Sequence, residues 1–192
     1  MDAILVVDMQ NACFDGVERY QVQNVIFHIN QLTQHFRDCG LPVVHIQHED
    51  ASADFKRHSR GWQFISEVAR EESDLVVAKT CCDAFIATEL ASVLNNYGIT
   101  RLFITGCATD FCVDSTIKGA IAQRLDVVVP ADAHTTADRP SVTAEILISH
   151  FNWNWAHLIT AGSAIDVLPT LDAIALVKPA SSVSCSSNRI GD

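Results

Sequence analysis

Short runs of aliphatic, β-branched residues alternate along this chain with longer segments whose apolar residues recur every three or four positions. Few folds accept that alternation. Ala3–Asp8 reads as a first strand. Val22–Cys39 follows with apolar residues at Val22, Val25, Ile26, Ile29, Leu32 and Phe36, the spacing of one helix face, and Gly40 stands where a helix-ending glycine belongs. Pro42–His48 and Leu75–Ala78 read as strands, Phe85–Tyr97 as a helix closed by Gly98, and Arg101–Thr105 as a fourth strand. A helix over Asp110–Gln123, a strand over Leu125–Val129, a helix over Val142–Trp153 and a sixth strand over His157–Thr160 complete the series. Strand and helix in turn imply βαβ units: an α/β protein with a doubly wound, six-stranded, mainly parallel sheet and helices on both faces. Solid apolar strands such as Ile4-Leu5-Val6-Val7 and Val127-Val128-Val129 fit burial on both faces. No linker interrupts the pattern before residue 178, so the expectation is one domain over 1–178 followed by a Ser-rich tail over 179–192.

Charge narrows the partners. The 23 acidic and 13 basic residues leave a formal net charge of −10, which opposes binding to nucleic acid or an anionic membrane surface. No apolar run approaches the ~20 residues needed to cross a bilayer, and Met1-Asp2-Ala3-Ile4 lacks the basic region of a signal peptide. A cytoplasmic protein acting on a small molecule is expected. The seven cysteines are an odd number without a Cys-x-x-Cys pair, which argues against both a disulfide framework and a structural zinc site.

Ligands of an open parallel sheet bind beyond the carboxyl ends of its strands. Asp8, His48, Lys79, the stretch Gly106–Cys112 and Asp132 to His134 stand there. Cys112 lies at the start of a helix with Thr109 or Asp110 as candidate N-cap, where unpaired N–H groups and the helix dipole favour a thiolate. A core thiol packed under the helix is the competing reading; Cys107, nearer the strand, fits that role better. Asp8 ends a buried strand and must either cap a loop or serve a site. Lys79 must find a carboxylate or reach water.

With those residues in place the sequence resembles the isochorismatase-like cysteine hydrolase superfamily. The resemblance is carried by Ala3-Ile4-Leu5-Val6-Val7-Asp8-Met9-Gln10-Asn11, by Val77-Ala78-Lys79 with Ala84-Phe85 and Thr88-Glu89-Leu90, and by Ile104 to Val113 continued by Ala131-Asp132-Ala133. It runs from about residue 3 to 160. It implies Cys112 as nucleophile, Asp8 as general base and Lys79 as third member of a triad. It also implies a cis peptide at Ala108–Thr109, an oxyanion hole from the N–H groups of Thr109 and Cys112, and the strand order 3-2-1-4-5-6. In that order strands one and four lie about 4.8 Å apart and strand three roughly 10 Å from strand one, a gap that a lysine stem can span. The implied reaction is hydrolysis of a carbon–nitrogen bond in a small amide, ureide or carbamoyl compound. A vinyl-ether hydrolase of isochorismatase type, which dispenses with the cysteine, and a non-catalytic oligomeric binding protein are the alternatives.

Nicotinamidases of the superfamily carry an Asp-x-His and a further His after strand two. Here the stretch is His45-Ile46-Gln47-His48-Glu49-Asp50, with His58 later, so that order is missing. Neither metal nor cofactor is expected. Phe14, His48, Trp62 and Phe85 are the candidate pocket wall, and the loop over 49–74 the seat of specificity. The apolar segment Ala164–Val177 carries more apolar surface than a terminal segment usually buries, and with the resemblance it suggests a homodimer or homotetramer.

Overall fold

The computed structural model describes residues 1–180; Cys185 and most of the expected tail lie outside the described residues. Six strands form the main sheet: β1 Asp2–Val7, β2 Val43–His48, β3 Leu75–Lys79, β4 Arg101–Cys107, β5 Asp126–Pro130 and β7 Ile165–Leu168, with β6 His134–Thr135 pairing the end of β4. The order is β3-β2-β1-β4-β5-β7, and all neighbours are parallel.

The period of two along β1 divides the core. Ile4 and Val6 point to the face covered by α1 (Val22–Asp38) and α5 (Thr170–Leu176), where they join Ile29, Leu32, Phe36 and Phe103. Leu5 and Val7 point to the opposite face, which carries α2 (Leu90–Asn96), α3 (Asp114–Ala122) and α4 (Ala144–Ala156), with Leu90, Leu94, Ile117 and Trp155. Each such buried aliphatic side chain contributes roughly 1.5–3 kcal/mol relative to exposure. α1 ends as its sequence requires. Gly40 takes φ +67 while its N–H and that of Leu41 bond back to Arg37 and Phe36, so a left-handed glycine satisfies the last carbonyls.

Several expected boundaries move. No strand forms over His157–Thr160: Trp155 is buried with its indole N–H bonded to Asp114, α4 runs to Ala156, and Ile159 is fully exposed in the turn that follows. The sixth main strand is β7, whose Ile165 and Val167 pack on the second core. Ala164–Val177 is therefore not an exposed apolar surface. It contributes β7 and α5, buries Ala173 and Val177, and leaves Leu171 as its one strongly exposed large apolar side chain. The helix expected from Phe85 begins only at Leu90, because Ala87 takes a left-handed φ of 55 and the Thr88 hydroxyl donates to the Ala84 carbonyl. The helix expected from Asp110 divides into a wide π turn, Thr109–Val113, and α3.

Candidate active site

The strand order brings three carboxyl-end segments to one place. β1 and β4 pair in register up to Val7 and Gly106, so Asp8 leaves the sheet beside the start of the Cys112 turn. A Cβ on Gly106, whose φ is +114, would lie 2.2 Å from the Val7 carbonyl oxygen, and only glycine allows that approach. Asp8 itself has φ 48, a left-handed conformation that a non-glycine residue adopts only where surroundings enforce it; its N–H bonds the Ile46 carbonyl at 3.0 Å.

Lys79, the last residue of β3, has a fully buried side chain that reaches across β2. Its Nζ lies 2.7 Å from Asp8 Oδ2, 3.3 Å from Cys112 Sγ and 3.0 Å from the Cys81 carbonyl oxygen. One ammonium thus has three acceptors and its desolvation is offset. Asp8 Oδ1, equally buried, has no hydrogen-bond partner. Burial raises the Asp8 carboxyl above the usual carboxylate range, while the charge and hydrogen bond of Lys79 pull it back. Burial also works against the Lys79 ammonium, but the Asp8 charge, helped by the contacts with Asp8 and Cys112, outweighs it and its pKa stands above the ordinary lysine value. The Cys112 thiol is pushed up by burial and then by the Asp8 charge, with Lys79 opposing. At rest the nucleophile candidate holds its proton beside a carboxylate with one oxygen open.

The turn that carries Cys112 is held from behind. The Ala108 carbonyl accepts from the N–H groups of both Phe111 and Val113. Neither Thr109 nor Asp110 caps the helix with its side chain. The Thr109 hydroxyl meets His134 Nδ1 at 2.9 Å, and His134 Nε2 meets Asn152 Oδ1 at 2.9 Å. Asn152 Nδ2 donates to the Ala131 carbonyl, which orients the amide with its oxygen toward His134. The ring N–H is therefore on Nε2, and Nδ1 accepts from Thr109. Burial lowers the His134 pKa to about 4, which keeps the ring neutral. Asp110 forms a two-pronged ion pair with Arg139 at 2.8 and 3.0 Å and accepts from Thr136. The cis peptide is Cys107–Ala108, one bond earlier than expected. It falls where β4 ends, and Ala108–Thr109 already belongs to the hydrogen-bonded turn.

A cavity of about 290 Å³ opens onto this group, lined by Asp8, Cys112, His48, Phe55, Phe111 and the two arginines Arg19 and Arg139, with Cys13, Cys82, Cys107 and Ala108. Of the four expected wall residues, His48 lines it. Phe14 lines a separate groove beside α1, and Trp62 another at the sheet edge, where its carbonyl accepts from Gln10 and Gln47. Phe85 packs on the second core instead. Phe55 and Phe111 are the aromatic walls, from the loop over 49–74 and from the residue before Cys112. Cys107 is fully buried, and its thiol is pushed well up by a hydrogen bond with Cys13 and by burial. Among the described residues no group of three or more His, Cys, Asp or Glu is placed to hold a metal ion. His45 meets Asp74 at 3.1 Å and His48 meets Asp50 at 3.2 Å.

The isochorismatase domain model matches residues 2–162. The chain belongs to the isochorismatase family. Among its relatives, streptothricin hydrolase of Streptomyces noursei is 31% identical over 186 residues, 93% of this chain and 66% of that protein. The ureidoacrylate amidohydrolase RutB of Pseudomonas savastanoi pv. phaseolicola is 28% identical over 169 residues, 68% of this chain and 69% of that protein. A crystal structure of an isochorismatase family protein superposes with a TM-score of 0.79 at 27% identity, covering 87% of this chain and 97% of that one. The chain thus spans about two thirds of the length of these two named relatives, while the solved isochorismatase family structure is matched almost end to end.

Proposed function

We propose that this isochorismatase-family chain hydrolyses a carbon–nitrogen bond of a small amide, ureide or carbamoyl compound through a thioester on Cys112. The observation that carries the reading is the single buried ammonium of Lys79 held between Asp8 Oδ2 at 2.7 Å and Cys112 Sγ at 3.3 Å. The name of one relative, a ureidoacrylate amidohydrolase, supports the same reaction class, and that of another, a streptothricin hydrolase, supports hydrolysis.

Asp8 Oδ1 takes the thiol proton as Sγ attacks the substrate carbonyl carbon. Lys79 stabilises the anionic character passing between carboxylate and sulfur. The Cys112 N–H, in the π turn on the cavity wall, is the donor for the tetrahedral oxyanion; the Thr109–His134–Asn152 chain holds that turn from behind. The carbon–nitrogen bond then breaks, and the leaving amine or ammonia takes the proton from Asp8. Water, losing its proton to Asp8, adds to the thioester and expels the Cys112 thiolate, which recovers that proton. One water is consumed, one acid and one amine are released, and the enzyme returns unchanged. A carboxyl raised above its ordinary range by burial suits a group that alternates between base and acid.

Ammonia release across a panel of small amides, ureides and carbamoyl acids tests the proposal. At least one member should be turned over, and Cys112→Ala should lower its rate by on the order of a thousandfold or more. A chain that releases ammonia equally well without Cys112 has the wrong nucleophile assigned.

A further inference from the structure

The charges that line the cavity are matched, with one exception. Asp8 is paired with Lys79, Arg139 with Asp110, and His48 with Asp50. Arg19 pairs with no carboxylate among the described residues. Its Nε donates to the Cys13 carbonyl at 2.7 Å, while its Nη1 is buried without a hydrogen-bond partner. The segment that carries it is not loose. The Tyr20 N–H bonds the Thr136 carbonyl at 3.0 Å, and the Thr135 hydroxyl donates to the Tyr20 carbonyl at 2.8 Å, so the residue next to Arg19 is pinned to β6 beside the end of β4.

A buried cationic donor left unpaired is destabilising, and the deficit disappears when a ligand supplies the acceptor. The planar fork of a guanidinium fits a carboxylate with two parallel hydrogen bonds, a match that a neutral amide or hydroxyl makes less well. Arg19 borders the groove beside α1 and also lines the cavity of Asp8 and Cys112, so a group that meets it from the cavity side belongs to the molecule whose carbonyl meets the thiol.

We propose that Arg19 is the specificity-determining residue of this site, holding a carboxylate on the substrate, so that the physiological substrate is a small acid bearing a ureido, carbamoyl or amide group. The inference rests on the hydrolytic reading above only for the identity of the reacting group; the anion site is a property of the cavity. At about 290 Å³ the cavity limits the acid to a compact one, with Phe55 and Phe111 against its stem.

Two alkylating agents of nearly equal size separate charge from access. Iodoacetate carries a carboxylate, and iodoacetamide does not. Their rates at Cys112, followed by peptide mass mapping so that Cys82 does not confuse the signal, give a ratio from which the thiolate fraction cancels. In the wild-type protein that ratio should exceed the ratio for free cysteine by about tenfold, the worth of one charge-assisted hydrogen bond. R19Q should remove most of that excess, and R19K, which keeps the charge but loses the fork, should retain part of it. The iodoacetamide rate shows whether each variant still presents the thiol. If R19Q disturbs the fold, the wild-type ratio alone decides. A wild-type ratio no higher than that of free cysteine, or one unchanged in a folded R19Q, overturns the proposal.

Ammonia release from N-carbamoylglycine and from its methyl ester tests the reaction separately. A selective iodoacetate ratio with no ammonia from any compound leaves the anion site standing and removes the hydrolytic reading. Equal release from acid and ester, with Cys112 required, keeps the reaction and overturns the carboxylate preference.

Discussion

A lysine with no exposed side-chain surface is tolerated only where acceptors replace its water, and Lys79 has found them in Asp8, Cys112 and the Cys81 carbonyl. The two charged members have separable roles. Asp8→Asn keeps the shape but cannot take a proton, so alkylation of Cys112 should slow and lose its rise with pH. Lys79→Ala leaves the Asp8 charge buried alone, an arrangement that costs about 3–5 kcal/mol in comparable pairs. Lys79→Arg keeps the charge in a larger head and should retain more reactivity than Lys79→Ala. The measurement is the Cys112 alkylation rate against pH in the three variants. If Asp8→Asn matches the parent at every pH while Lys79→Ala does not, the base is lysine. Asp8 and Lys79 were legible as candidates because they end buried strands, and Cys112 because it stands near a helix start; their structural alternatives stayed open, and it was the family resemblance that grouped the three as a triad. Arg19 was not legible: it lies in the aperiodic stretch before α1, where only the fold decides which way a side chain turns. The aromatic walls misled for the same reason, since an aromatic residue near a strand end packs equally well on core or cavity, as Phe85 and Phe111 do.

At the scale of elements, periodicity located what packing enforces and missed what hydrogen bonds decide. β1, α1, β2, β3 and β5 follow from apolar spacing to within one residue at each end. The π turn at Thr109–Val113 does not, because its apolar residues suit an ordinary helix and its width comes from the Ala108 carbonyl accepting two N–H groups. β7 was hidden by the same ambiguity, a four-residue segment with three apolar residues beside a short helix that periodicity alone cannot assign. The junction of β1 with β4 is the most demanding contact between elements near the site. Gly106→Ala would set a methyl group 2.2 Å from the Val7 oxygen at a φ of +114. Relief requires the β1 and β4 ends to separate, which moves Asp8 away from the Cys112 turn. A loss of about 3 kcal/mol or more is expected in urea unfolding, with hydrolytic activity falling further than stability alone explains. A variant with parental stability and rate would show that this approach does not set the site geometry.

For the molecule as a whole, acid is the condition that its buried histidines resist least. His45 and His134 are both buried, and burial lowers each pKa from 6.5 to about 4. Below pH 6.5 the unfolded chain protonates both rings while the folded protein keeps them neutral, so the unfolded state binds more protons and stability falls with pH. Between pH 6.5 and 4 the two shifts together are worth several kcal/mol at most, taking about 1.4 kcal/mol for each unit. The carboxyl of Asp8, raised by burial, acts in the opposite sense above 3.8, because there the folded state holds the extra proton. Asp74 and Asp110, lowered by their arginine partners against burial, add their loss only at more acid pH, as they protonate in the fold. The histidine window is thus the one closest to neutrality. Urea unfolding should give a stability nearly constant from pH 8 to 7 that declines steadily below 6.5. His134→Gln can keep a hydrogen bond to Thr109 but cannot titrate, so it should start less stable at neutral pH and decline less steeply. A His134→Gln slope equal to that of the parent would mean that His134 is not held neutral in the fold, and the tautomer assigned to the Thr109–His134–Asn152 chain would fall with it.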